Sequence, residues 1–284
     1  MEIKVVGVLG AGTMGNGIAQ VAAQAGYSVI MRDIEDRFVD NGLKAIGKFL
    51  AKSVEKGKMT EDQRKGVLGR IKGTTKMEDL KGADFVIEAV FEDLEIKRAL
   101  FKQLDELTRP EAILSTNTSS MSITEIAMAT KRPDKVGGMH FFNPAPLMKL
   151  VEVIRGYHTN DATVSTIMEL ARKMGKEPVE VKKDTPGFLV NRLMIPHMIE
   201  AIRLLEEGVA TKEDIDKAVK LGLNYPMGPF ELMDLTGVDI AHHVTEYFYK
   251  ELNKENKWSV PGLMKSLIRA GRLGRKTGGG WYNY

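Results

Sequence analysis

The 284-residue chain has no cysteine. That excludes disulfide bridges, thiolate nucleophiles and cysteine-ligated metal. It also has little net charge: 41 basic against 38 acidic side chains leave +3. No global field therefore recruits nucleic acid, while a mild positive balance suits an anionic cofactor or substrate. No apolar run approaches the roughly 18–20 residues that span a bilayer. Met1-Glu2-Ile3-Lys4 leads straight into a strand-like run, without a charged-then-apolar leader. These absences point to a cytoplasmic protein with no membrane or nucleic-acid partner. With 43% apolar and 28% charged residues, the chain reads as an ordinary globular protein of one large or two modest domains.

What is present starts with Gly10-Ala11-Gly12-Thr13-Met14-Gly15, which follows the apolar run Val5-Val6-Gly7-Val8-Leu9 and precedes a helical stretch over Asn16 to Gly26. A second apolar run, Val29-Ile30-Met31, closes on the acid Asp33. Strand, glycine loop, helix, strand and terminal acid form one dinucleotide-binding unit. Gly10 allows a tight turn, Gly12 lets the backbone approach a pyrophosphate, and Gly15 lets the helix pack on the strand. Unpaired N–H groups at the helix start attract the phosphates. A carboxylate at Asp33 accepts from the ribose hydroxyls and repels a 2′-phosphate, which favours NAD over NADP, with the adjacent Arg32 pulling the other way.

Strand-like runs at Ile3–Leu9, Ser28–Asp33, Phe85–Ala89, Ala112–Ser115, Val136–Phe141 and Leu150–Ile154, and an additional one at Val179–Lys182, alternate with helical segments. The pattern predicts an α/β domain, a Rossmann-like, doubly wound and mainly parallel sheet. Residues 36–70 interrupt it as a charged helical-hairpin insertion, with a capping box at Thr60-Glu61-Asp62-Gln63. Lys44, Lys48, Lys52 and Lys56 recur every four residues on one face. Such a stripe is either a solvated face or a phosphate-binding one. After Lys183 strand alternation ends. Asp184-Thr185-Pro186-Gly187 reads as a turn with proline at a helix start. A long helix over Phe188–Gly208, interrupted by Pro196, a helix closed by Gly222, and three shorter helices predict an all-α C-terminal domain. The boundary falls between residues 1–184 and 185–284.

Candidate chemistry lies in Gly138-Met139-His140-Phe141-Phe142-Asn143-Pro144, where a histidine sits in an apolar run that Asn-Pro then breaks. Ligands of open α/β sheets bind beyond the strands' carboxyl ends, so His140 is placed for proton transfer. Glu152, in Leu150-Val151-Glu152-Val153-Ile154, either alternates out to water or pairs with a buried group, such as His140. Asn191 shares the apolar face of its helix with Phe188 and Ile195, which implies a hydrogen-bonding role. The hydroxyls of Ser115-Thr116-Asn117-Thr118-Ser119-Ser120 and the following Ser122 either cap the next helix or face the cofactor.

Taken with Tyr225-Pro226-Met227-Gly228-Pro229 and Lys276-Thr277-Gly278-Gly279-Gly280, these motifs resemble the L-3-hydroxyacyl-CoA dehydrogenases nearly end to end. Within that family the chain is most similar to the single-module bacterial 3-hydroxybutyryl-CoA dehydrogenases. The resemblance implies a metal-free hydride transfer between NAD and C3 of a short-chain (S)-3-hydroxyacyl-CoA, in fatty-acid or butyrate metabolism. It makes His140 the general acid–base with Glu152 as its partner, and sets Ser119 and Asn191 on the substrate oxygen. Cofactor contacts are expected from Gly10, Ala11, Gly12, Thr13, Met14, Gly15, Asp33, Glu92, Lys97, Ser119, Asn143 and Lys276. Lys52 and Lys56 become candidates for the coenzyme A phosphates, and the helical domain for a homodimer contact. Competing readings are a relative acting on 3-hydroxyadipyl-CoA or a sugar acid, and a non-catalytic NAD-binding protein.

Overall fold

Short β-branched runs covered on both faces favour parallel strands, and in the computed structural model, which describes residues 2–284, they form one eight-stranded sheet. The chain makes two compact units, Met1–Asp184 and Thr185–Tyr284. In the first, β1 (Val5–Leu9), α1 (Thr13–Gln24) and β2 (Ser28–Arg32) build the glycine-loop unit. The insertion follows as α2 (Asp36–Glu55) and α3 (Glu61–Gly69), then β3 (Ile71–Thr74) and β4 (Phe85–Glu88). Next come α4 (Leu94–Leu107), β5 (Ile113–Thr116), α5 (Ile123–Ala127) and β6 (Val136–Phe141). The unit ends with β7 (Leu150–Ile154), α6 (Asp161–Lys173) and β8 (Glu177–Val181).

The strand order is β3-β2-β1-β4-β5-β6-β7-β8. Every pair is parallel except β6 with β7. The order reverses at β1, so a crevice opens between the loops leaving β1 and β4. Val6, Val8, Ile18, Met31, Phe85 and Ile87 fill the core on one side, and Leu80, Val86, Phe101 and Leu114 that on the other.

Strand β3 is absent from the sequence expectation. Ile-Lys-Gly-Thr carries a single buried apolar side chain, Ile71, and is specified by its backbone pairing with β2. The capping box forms as expected: Thr60 Oγ1 accepts from Gln63 N and Gln63 Oε1 from Thr60 N. Helix α2 turns Val39, Gly42, Ile46 and Leu50 inward and leaves Lys44, Lys48 and Lys52 exposed.

The second unit is helical: α7 (Val190–Glu206), α8 (Lys212–Gly222), α9 (Pro229–Thr236), α10 (Val238–Glu251) and α11 (Gly262–Arg269). Its core is Ile195, Met198, Ile202, Phe230, Met233, Phe248, Trp258 and Trp281. One helix start differs from expectation. Pro186 does not start α7, because Gly187 and Phe188 adopt left-handed backbone angles (φ 75° and 51°) and the helix begins only at Val190. Helix α8 closes at Gly222 as expected, and the left-handed residue beyond it is Asn224 (φ 58°), whose short amide tolerates that region. Helix α7 continues through Pro196, which supplies no N–H, so one helical bond is missing there.

Two buried carboxylates fasten the end of the chain to this unit. Asp216 accepts from Phe230 N, Glu231 N and the Tyr282 hydroxyl. Asp234 accepts from Trp281 N, Tyr282 N and the Tyr284 hydroxyl. A Cβ at Gly280 would collide with the Asp234 carboxylate, which explains the glycine of the closing motif. Among the described residues, no helix is long and apolar enough to cross a membrane.

Candidate active site

Because β1, β4, β5 and β6 run parallel, the loops leaving them emerge along one edge of the sheet. The glycine loop leaves β1. Gly10 holds φ 96° and a Cβ there would strike the carbonyl of Ala89, the residue after β4. A Cβ on Gly15 would collide with the Gly10 carbonyl, so α1 is seated directly on the loop. Gly12 differs: its φ is −65° and no protein atom lies within 4 Å of a Cβ built on it. Gly12 is also the N-cap of α1 and offers no side-chain cap to the helix N–H groups. The loop is thus tight where it meets the fold and open where a pyrophosphate approaches, which fits a dinucleotide. Asp33 takes Ala11 N on one oxygen and Ile34 N on the other, both at 2.7 Å, so it anchors the loop from β2. Arg32 turns aside, with Nε on the Thr75 carbonyl at 3.2 Å.

Beside the loop lies a buried charged network. Glu88, the last residue of β4, is 0% exposed, and Lys97 on α4 is 1% exposed. Lys97 Nζ lies 2.7 Å from Glu88 Oε1 and 3.2 Å from Glu92 Oε2. Glu88 also accepts from Val90 N and the Thr116 hydroxyl. Glu92 Oε1 in turn accepts from the Thr118 hydroxyl and from Ser119 N at 3.0 Å, with Ser119 Oγ at 3.5 Å. Lys97 is therefore enclosed by carboxylates and holds Glu92, and Glu92 holds the half-buried Ser119.

His140 and Glu152 stand directly opposite each other across the antiparallel β6–β7 pair. His140 Nδ1 is 2.7 Å from Glu152 Oε2, with the two residues 6% and 0% exposed. Phe142 packs against the imidazole, ring centroids 4.7 Å apart. This settles the alternative for Glu152 in favour of the buried partner. Asn117 Oδ1 accepts from Phe141 N at 2.8 Å, tying the loop after β5 to the histidine strand. Asn143 is exposed just beyond β6. Ser122 caps α5 and donates to Asp184, so its role is structural.

The remaining expected residues belong to the helical unit or to the insertion. Asn191 is in the first turn of α7. Lys276 binds both oxygens of Asp239 at 2.6 Å within the helical unit. Burial raises the Asp239 carboxyl, but the Lys276 ammonium outweighs this and holds it below its ordinary value. Lys52 and Lys56 are exposed and form no ion pair among the described residues. Glu88 and Asn117 are missing from the sequence-derived set. For Glu88 a signal existed: an acid ends the apolar run Phe85-Val86-Ile87, as Asp33 ends its own.

Comparison with known proteins follows this geometry. Residues 5–185 match the model of the 3-hydroxyacyl-CoA dehydrogenase NAD binding domain, and residues 187–284 that of the 3-hydroxyacyl-CoA dehydrogenase C-terminal domain. The chain is 48% identical over 277 residues to a 3-hydroxybutyryl-CoA dehydrogenase of Clostridioides difficile, covering 98% of each. It is 48% identical to a probable 3-hydroxybutyryl-CoA dehydrogenase of Bacillus subtilis, covering 100% of this chain and 98% of the relative. The crystal structure of (S)-3-hydroxybutyryl-CoA dehydrogenase from Ralstonia eutropha superposes with a TM-score of 0.96 at 45% identity, covering 100% and 99% of the chains.

The glycine geometry separates binding from folding. Gly12→Ala is expected to keep the wild-type melting temperature, since its Cβ meets no protein atom. It should weaken NADH binding by tenfold or more, about 1.4 kcal/mol, in a fluorescence titration. Unchanged affinity would place the pyrophosphate elsewhere.

Proposed function

The chain belongs to the 3-hydroxyacyl-CoA dehydrogenase family and is an NAD-dependent oxidoreductase, and we propose that it interconverts (S)-3-hydroxybutyryl-CoA and acetoacetyl-CoA, a step of fatty-acid or butyrate metabolism. The observation that carries this reading is the buried 2.7 Å bond between His140 and Glu152 at the ligand-facing end of the sheet. Bound at the Gly10–Gly15 loop, NAD would supply the hydride chemistry at C3. The protein handles the proton. With Nδ1 held by Glu152, His140 exchanges a proton with the C3 oxygen through Nε2. Glu152 fixes that tautomer and stabilises the imidazolium form. Packing against Phe142 limits rotation of the ring. Ser119 hydrogen-bonds that oxygen and polarises the carbonyl, an electrostatic contribution, and family resemblance assigns Asn191 to the substrate oxygen as well. The Glu88–Lys97–Glu92 network supports this role for Ser119, because it fixes the backbone from which the hydroxyl projects. Cofactor contacts come from Gly10–Gly15, Asp33, Glu92 and Asn143, with Lys97 acting through Glu92; Lys276 is assigned to the cofactor by family resemblance.

We further propose a cytoplasmic homodimer formed through the helical unit. Leu193, Val209, Leu221 and Leu223 are each exposed on this unit, apolar surface that a second copy would cover. Light scattering should give twice the chain mass. A monomer at micromolar concentration would refute the pairing.

Oxidation of NADH by acetoacetyl-CoA tests the reaction itself. His140→Gln should lower kcat by about 10²–10⁴-fold, the usual weight of a general acid–base, while NADH affinity stays near wild type. Normal turnover in that variant would remove His140 from the mechanism. NADH binding without any turnover by the wild-type protein would sink the enzymatic reading.

Lys52 and Lys56 are the proposed partners of the coenzyme A phosphates. Their exposure, and the absence of an ion pair to either among the described residues, support this. Lys52→Ala and Lys56→Ala are expected to raise KM for acetoacetyl-CoA with little change in kcat, more strongly at low salt. A salt-independent, unchanged KM would return the stripe to a solvated surface.

A further inference from the structure

The strands carrying His140 and Glu152 are consecutive, and the loop joining them, residues 142–149, also carries Asn143. The loop starts two residues after His140 and ends three residues before Glu152, so its course bears on how the two strands meet. Its own bonds are few: Leu147 N and Met148 N both donate to the Pro144 carbonyl. The remaining hold comes from Lys176, in the turn between α6 and β8. Lys176 is 6% exposed, and its Nζ donates to the Ala145 carbonyl at 2.5 Å and the Met148 carbonyl at 2.8 Å. Among the described residues no carboxylate lies within ion-pair distance of it. The next residue grips the far end of the same loop, Glu177 N donating to the Lys149 carbonyl at 2.9 Å. The loop also presses on α1, where a Cβ on Gly17 would crowd Ala145 and Pro146.

A buried ammonium with only carbonyl partners is a costly choice, and burial pulls its pKa down. An apolar side chain would fill the space at lower cost. What it would not do is hold two loop carbonyls, three residues apart, at defined positions. We propose that Lys176 is a positioning residue: by binding the Ala145 and Met148 carbonyls it fixes the loop that sets His140 against Glu152. The inference rests on the reading of that pair as the proton-transfer centre. Lys176 touches neither residue, and its effect runs entirely through the backbone of the loop.

Lys176→Arg, Lys176→Gln and Lys176→Met test this as a graded loss of donors. The Met variant should lose about tenfold or more in kcat on acetoacetyl-CoA, the scale of a small misplacement of reacting groups, with NADH affinity unchanged. Gln should fall between, and Arg should keep most of the activity. The downfield NMR signal of the His140 Nδ1 proton should shift in the same order, and it reads the clamp without substrate. A folded Met variant with wild-type kcat and an unshifted signal would overturn the proposal, even if its melting temperature fell. Failure of all three variants to fold would overturn it too, by making Lys176 a requirement of the fold. If the wild-type protein turned over no acyl-CoA, the functional reading would fall while the NMR series still judged the clamp.

Discussion

A fully buried carboxylate must find all its partners inside the protein, and Glu88 is the point at which that requirement organises the site. Its partners come from three places: the backbone after β4, the α4 ammonium of Lys97, and the hydroxyl of Thr116 at the end of β5. Removing one member of such a buried set costs on the order of 3–5 kcal/mol, enough to enforce the arrangement. The loops around it inherit their positions. Ala89, the next residue, is the surface against which Gly10 turns. Lys97 carries the constraint outward to Glu92, and Glu92 carries it to Ser119. The cofactor loop and the serine loop are thereby referenced to one hidden charge.

The proton-transfer pair depends on a different device, the reversal of direction between β6 and β7. Parallel neighbours need a long crossover, whereas an antiparallel neighbour can follow after a short loop. The reversal places Glu152 opposite His140 with no intervening element. It also puts both residues in the interior of the sheet, where the 2.7 Å bond is shielded from water. Asn117 then fixes the histidine strand from its other neighbour, through Phe141 N.

Much of this was legible in the residues. The glycine loop, its following acid, and a histidine ahead of Asn-Pro are local signals, and each lies where the strand order puts a ligand. The limits were physical. Alternation shows that Glu152 faces one side of a strand but not which strand lies next to it, so its partner emerges only from the sheet order. Strand β3 buries too little apolar surface to announce itself. Pro186 has a helix-start signature, yet Gly187 and Phe188 take left-handed angles that postpone α7. Lys176 reads as a surface lysine, because a side chain bound to distant carbonyls leaves no pattern in its own neighbourhood. Glu88 had a local signal, but its significance required knowing that α4 returns Lys97 to it.

The clasp at the end of the helical unit bears on how the protein is made. Asp216 and Asp234 lie in helices that leave the ribosome well before Trp281, Tyr282 and Tyr284. Until residues 281–284 appear, both carboxylates lack these partners, and Trp281 is missing from the core it shares with Phe230. The sheet unit has no such debt, since its last strand ends at Val181. The strands of the sheet unit are therefore all available before residues 281–284, on which the core of the helical unit depends, have been made.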